Sequence, residues 1–126
     1  MQAESPKRSF AGMFQIRSEQ IEAFERDQFE RLVDRLCAFL RAQFPDAERA
    51  PAAEIRVGLE RMLPRASDYG LENEQELAIF AVSAWLMGLD FDATHPEAQA
   101  VLISQRTSAE KAEWLASYTR RIFERA

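Results

Sequence analysis

The sequence is poor in the residues around which most small-molecule chemistry is built. It has one cysteine, one histidine, four glycines and five prolines among 126 residues. A single cysteine, Cys37, closes no internal disulfide, so a stapled secreted scaffold is excluded and a reducing compartment is expected. There is no zinc-type spacing of Cys and His, no Walker loop, no dinucleotide glycine fingerprint and no kinase signature. The longest nearly unbroken apolar run, "LAIFAVSAWLMGL", is shorter than the ~20 residues that span a bilayer. No basic start leads into an apolar run of signal-peptide length. A cytoplasmic protein without membrane insertion is expected.

Basic charge is also in deficit, with 16 Lys and Arg against 21 Asp and Glu and a formal net charge of -5. Nucleic-acid binding needs clustered cations to neutralise phosphates. Here the arginines are scattered among carboxylates, as on solvated helix faces, and no nucleic-acid partner is expected. What the chain does have is apolar substance, 47% of its residues. At this length folding removes roughly two-thirds of the unfolded surface from water. One domain can therefore hold a core without a metal or disulfide.

The apolar residues recur at helical spacing. From Ser18, a candidate cap, Ile21, Phe24, Phe29, Leu32, Val33, Leu36 and Leu40 form one stripe, with Cys37 and Phe44 at its margin. Pro45 ends that helix. Pro51 suits the first turn of a second, buried through Ile55, Leu59, Met62 and Leu63. Pro64 is expected to kink or restart it, and Gly70 to close it with a left-handed residue. Asn73 and Glu76 in "NEQE" make a capping box for a third helix. That helix is apolar almost all round from Leu77 to Met87, with Ser83 the one polar interruption. Pro96 opens a fourth helix that packs through Ala98, Val101 and Leu102. Thr107 and Glu110 box a fifth, with Leu115, Tyr118, Ile122 and Phe123 inward. The expected architecture is all-α: a tail over residues 1–13, then one helical domain over 14–126. About five helices gather around a central apolar helix at residues 74–88. Only "MFQIR" suggests a brief extended piece.

The stretch "WLMGLDFDATHP" invites a chemical reading. Asp90, Asp92 and Thr94 fall at positions 1, 3 and 5 of a calcium loop, but His95 and Val101 stand where glycine and a bidentate glutamate are needed. A triad with His95 as base and Asp90 or Asp92 as its orienting carboxylate lacks a nucleophile. The plainer reading is an elbow whose polar side chains bond orphan backbone groups at two helix ends. Cys37 reads as a small buried hydrophobe, and the pairs Glu19/Glu22 and Glu72/Glu76 as solvated helix faces, not glycosidase carboxylates. No catalytic residue, metal or cofactor is expected.

Hydrophobic recognition remains. Ile79, Val82 and Leu86 lie away from the inward stripe of the third helix, Phe91 follows it, and Trp114 sits about 100° from Leu115 on the last helix. Surplus apolar and aromatic surface of this kind can mark a partner site; the other reading is a core helix surrounded by its four neighbours, and the two are compatible if one flank is left open.

The order of segments carries a resemblance. "MFQIRSEQIEAFERDQFERLVDRLCAFLRAQFPD", then "IRVGLERMLPRASDYGLENEQELAIFAVSAWLMGLDFDATHP", then a closing helix, resembles small helical proteins of bacterial type VI secretion effector loci. Those proteins accompany effectors, spike proteins and adaptor chaperones. The resemblance runs from Met13 to about Phe123 and is most specific at "IRSEQ", "YGL" before the capping box, and "WLMGLDFD" leading to "HP". Pro64 and the twelve residues before Met13 depart from the pattern. The resemblance implies a non-enzymatic accessory protein that acts by binding, a co-chaperone or adaptor partner of a secretion effector. Its positions Trp85, Gly88, Asp90, Phe91 and Asp92 would fix the turn between helices. An immunity protein that neutralises a toxin is the alternative, and a small metal-dependent hydrolase using Asp90, Asp92 and His95 a remote one.

Overall fold

A computed structural model describes the backbone of residues 19–125 and the side-chain surroundings of residues 26–124. The expected tail, the Ser18 cap and the extended "MFQIR" lie outside the described residues, as do the surroundings of Glu19, Ile21, Glu22 and Phe24.

The chain is all-α. In order come α1 (Glu19–Gln43), α2 (Pro45–Arg49), α3 (Ala52–Asp68), α4 (Glu74–Met87), α5 (Phe91–Thr94), α6 (Pro96–Leu102) and α7 (Ser108–Arg125), with no strand among the described residues. Two of the seven, α2 and α5, are single turns in stretches that read as links. Pro45 does end α1, and it also starts α2, because proline suits the first helical position as well as it ends a helix. In α5 the Ala93 and Thr94 amides both reach the Asp90 carbonyl, at 2.8 and 3.0 Å.

The packing divides into two compact units, separated between Glu60 and Arg61 within α3. In the first, α1 buries Leu32, Val33, Leu36, Cys37 and Leu40, the expected stripe, and packs against α2 through Ala47. The Arg41 guanidinium donates to the Glu48 carbonyl at 2.8 Å, tying the two helices together. Arg56 pairs with Asp34, and Cys37 is buried with its thiol 3.9 Å from the Ala52 carbonyl.

Helix α3 corrects the expectation that it restarts at Pro64. It runs unbroken through Pro64, whose ring is exposed. One missing amide hydrogen bond is tolerated because Met62, Leu63 and Ala66, on either side of the proline, are each at most 1% exposed. Burial of that face holds the turn that proline weakens. The helix ends as a Schellman motif. Leu71 N donates to Ala66 O at 3.1 Å and Gly70 N to Ser67 O at 2.9 Å, with Gly70 at φ +97°.

In the second unit α4 packs along α7, α5 bridges α4 and α6, and α6 lies on α7. The α4 capping box forms as expected: Asn73 Oδ1 accepts from Glu76 N at 2.8 Å, and Glu76 Oε1 accepts from Asn73 N at 3.3 Å. Glu76 does more than a solvated carboxylate. Its Oε1 also accepts from Glu72 N at 2.8 Å and its Oε2 from the Ser108 hydroxyl at 3.1 Å. One turn further along α7, buried Lys111 donates to the Tyr69 carbonyl at 2.6 Å. The first turns of α7 thus brace the corner between α3 and α4. A cation at the carbonyl end of α3 also complements its dipole.

Phe80 and Phe91, both 0% exposed, sit at the centre of this unit with ring centroids 4.9 Å apart. Ser83, the polar interruption in α4, is buried with both bonding options met, to the Ile79 carbonyl at 2.8 Å and the Thr119 hydroxyl at 2.9 Å. On α7, Leu115 and Tyr118 are buried as expected, but Phe123 is 59% exposed. The apolar stripe continues to the end of the helix, while burial fades after Thr119. Helical period selects a face and cannot supply a neighbour to cover it.

Two stability measurements check these points. Gly88 ends α4 at φ +111° and ψ 149°, with open space where a Cβ would stand. Gly88→Ala is expected to lower unfolding free energy by about 1–3 kcal/mol through backbone strain alone, read by urea titration. Ala84 is 4% exposed on the inward side of α4. Ala84→Glu should place an unpaired carboxylate there and abolish the cooperative thermal transition.

Candidate functional site

The elbow between α4 and α6 is held by residues far away in sequence. Gly88 stops α4 because it adopts a backbone conformation that only glycine takes readily. The chain then turns, with Phe91 N donating to the Gly88 carbonyl at 3.0 Å. This turn carries Asp92 inward, where it is 4% exposed.

Arg65 and Tyr69 meet it there from α3, one helical turn apart. Arg65 approaches fork to fork, Nε to Oδ2 at 3.1 Å and Nη2 to Oδ1 at 2.9 Å. The Tyr69 hydroxyl donates to Oδ2 at 2.7 Å. Arg65 Nη2 also donates to the Leu89 carbonyl, so one guanidinium holds both the acid and the backbone of the elbow. Bidentate, charge-assisted geometry of this kind is the stronger class of polar contact.

The electrostatics agree. Burial alone pushes the Asp92 carboxyl up, and the hydrogen bonds from Arg65 and Tyr69 overcome it and hold the group below the usual carboxylate range. Burial first, and then the bond to Asp92, pushes the Tyr69 phenol up to about 12. The hydrogen bond to Asp92 raises Arg65 against the cost of its own burial. The set is an ionised carboxylate, a neutral phenol and a fixed cation. Such an arrangement locks geometry and has no proton to exchange near neutral pH.

His95 goes elsewhere. It precedes Pro96 without capping α6 by its side chain. Its Nδ1 lies 3.1 Å from the Tyr118 hydroxyl, with the rings edge to face at 6.0 Å. Trp114 stacks on Tyr118, centroids 4.7 Å apart and planes 14° from parallel, and the Arg121 guanidinium stands 5.9 Å from the Tyr118 ring. An acid–histidine pair is not assembled. Asp92 is engaged by Arg65 and Tyr69, His95 by Tyr118, and no hydrogen bond joins them. Asp90 is exposed without a side-chain cap bond, while Asp92 accepts a backbone hydrogen bond and the Thr94 hydroxyl donates to the Asp90 carbonyl at 3.2 Å. Among the described residues no three His, Cys, Asp or Glu side chains gather in a way that could hold a metal.

The five apolar positions singled out in the sequence divide. Phe91 is a correction: it is wholly buried against Phe80, because the elbow turns its ring into the core. Trp114 is half-buried on its stack with Tyr118. Ile79, Val82 and Leu86 are all half-buried. At about 100° per residue, the buried residues of α4 (Glu76, Leu77, Phe80, Ala81, Ser83, Ala84) occupy one arc. Ala78, Ile79, Val82, Trp85 and Leu86 fill a second, half-buried arc of about 120°. The second arc has no charged side chain between Leu77 and Met87, and Gln75 stands on it in the first turn. Arg65, Tyr69 and Lys111 were not singled out in the sequence. An i, i+4 Arg–Tyr pair was the available signal, and it lies just past Pro64, where a kink or restart was expected.

Comparison with protein-family models, with curated proteins and with solved structures finds no match for this chain.

The elbow lock has a pH signature. Asp92 has a folded pKa below its unfolded value, so the folded state binds fewer protons in that window. Its stabilisation is present above the unfolded carboxylate pKa, about 3.9, and is lost as pH falls through the lower folded value. Tyr69, raised to about 12, acts in the opposite sense, with stability falling as pH rises above the unfolded phenol value of about 10. Asp92→Asn should cost about 1.5–3 kcal/mol at neutral pH and flatten the acid limb of a plot of urea-unfolding free energy against pH.

Proposed function

We propose that this chain is a non-enzymatic binding protein, a co-chaperone or adaptor partner that holds a type VI secretion effector, or the adaptor of one, against the apolar flank of α4. The observation that carries the proposal is the half-buried arc of Ala78, Ile79, Val82, Trp85 and Leu86. A helix that faces water on one side ordinarily carries charge there, and this one carries none between Leu77 and Met87. Ile79, Val82 and Leu86 stand at i, i+3 and i+7, the spacing by which helices present anchors to a groove or to another helix. Each adds stabilisation on burial at roughly 25 cal/mol per Å² of apolar surface, and a few such anchors dominate an interface.

The engaged state of the elbow supports a binding role over a chemical one. Asp92 and His95, the residues most suited to catalysis, each bond to a different helix and make no acid–histidine pair. What supports the secretion-effector assignment in particular is the resemblance of "IRSEQ", "YGL" and "WLMGLDFD" to proteins of such loci.

Co-expression with the products of neighbouring genes tests the proposal. The partner should be soluble only in the presence of this chain. Val82→Asp with Leu86→Asp should lower the soluble yield by roughly tenfold, about 1.4 kcal/mol, while far-UV circular dichroism of the variant is unchanged. A chain that instead rescues cells from a co-expressed toxin, leaving the toxin's solubility unaffected, would transfer the assignment to immunity.

A further inference from the structure

We draw no further inference here: the strongest candidate, the exposed apolar end of α7 at Phe123, is an unpartnered helix face, and nothing in the structure shows what covers it.

Discussion

The eleven residues from Leu77 to Met87 carry a single polar side chain, and the second unit is arranged around the need to cover them. A helix without a polar side loses stability wherever it meets water, so it requires neighbours on more than one face. α7 lies along it and α5 closes on it from the elbow. Ser83 is accommodated only because Thr119 stands opposite and the Ile79 carbonyl is within reach. Each half-met buried hydroxyl costs free energy, so this pair also fixes the register of α4 on α7.

Placing those neighbours takes two polar clusters, one at each end of α4. At its amino end Glu76 joins the cap to Ser108, and Lys111 reaches the Tyr69 carbonyl just past the end of α3. At its carboxyl end Arg65 binds Asp92 and the Leu89 carbonyl at once. Both clusters draw on side chains from α3 or α7, so each corner is tied across the unit and not only by its own turn. The aromatic contact between Phe80 and Phe91 follows from the second cluster. Turning Asp92 toward α3 carries the adjacent Phe91 into the core.

The same arrangement bears on function. Asp92 of the elbow is held by Arg65 and Tyr69, in an ion pair whose carboxylate is nearly inaccessible, and His95 by Tyr118. What α4 leaves half-covered between Leu77 and Met87 is apolar.

Much of this was legible in the residues alone because it depends on near neighbours. Helical period located the stripes of α1, α3 and α6, the Asn73 and Thr107 boxes marked two helix starts, and Gly70 and Gly88 marked two ends. These are contacts within four or five residues, and their chemistry is written in spacing. Tertiary structure decided the rest. Arg65 and Asp92 are separated by 27 residues, so nothing in the spacing of "WLMGLDFDATHP" announces that its second aspartate is an anchor. Pro64 is locally a helix breaker, yet burial of Leu63 and Ala66 outweighs its missing bond. Phe91 and Phe123 look alike as apolar residues near helix ends, and one is fully buried while the other is 59% exposed. Local sequence determines which face of a helix is apolar. Whether that face meets a neighbour or water depends on where other helices run, and long-range side-chain bonds set that course.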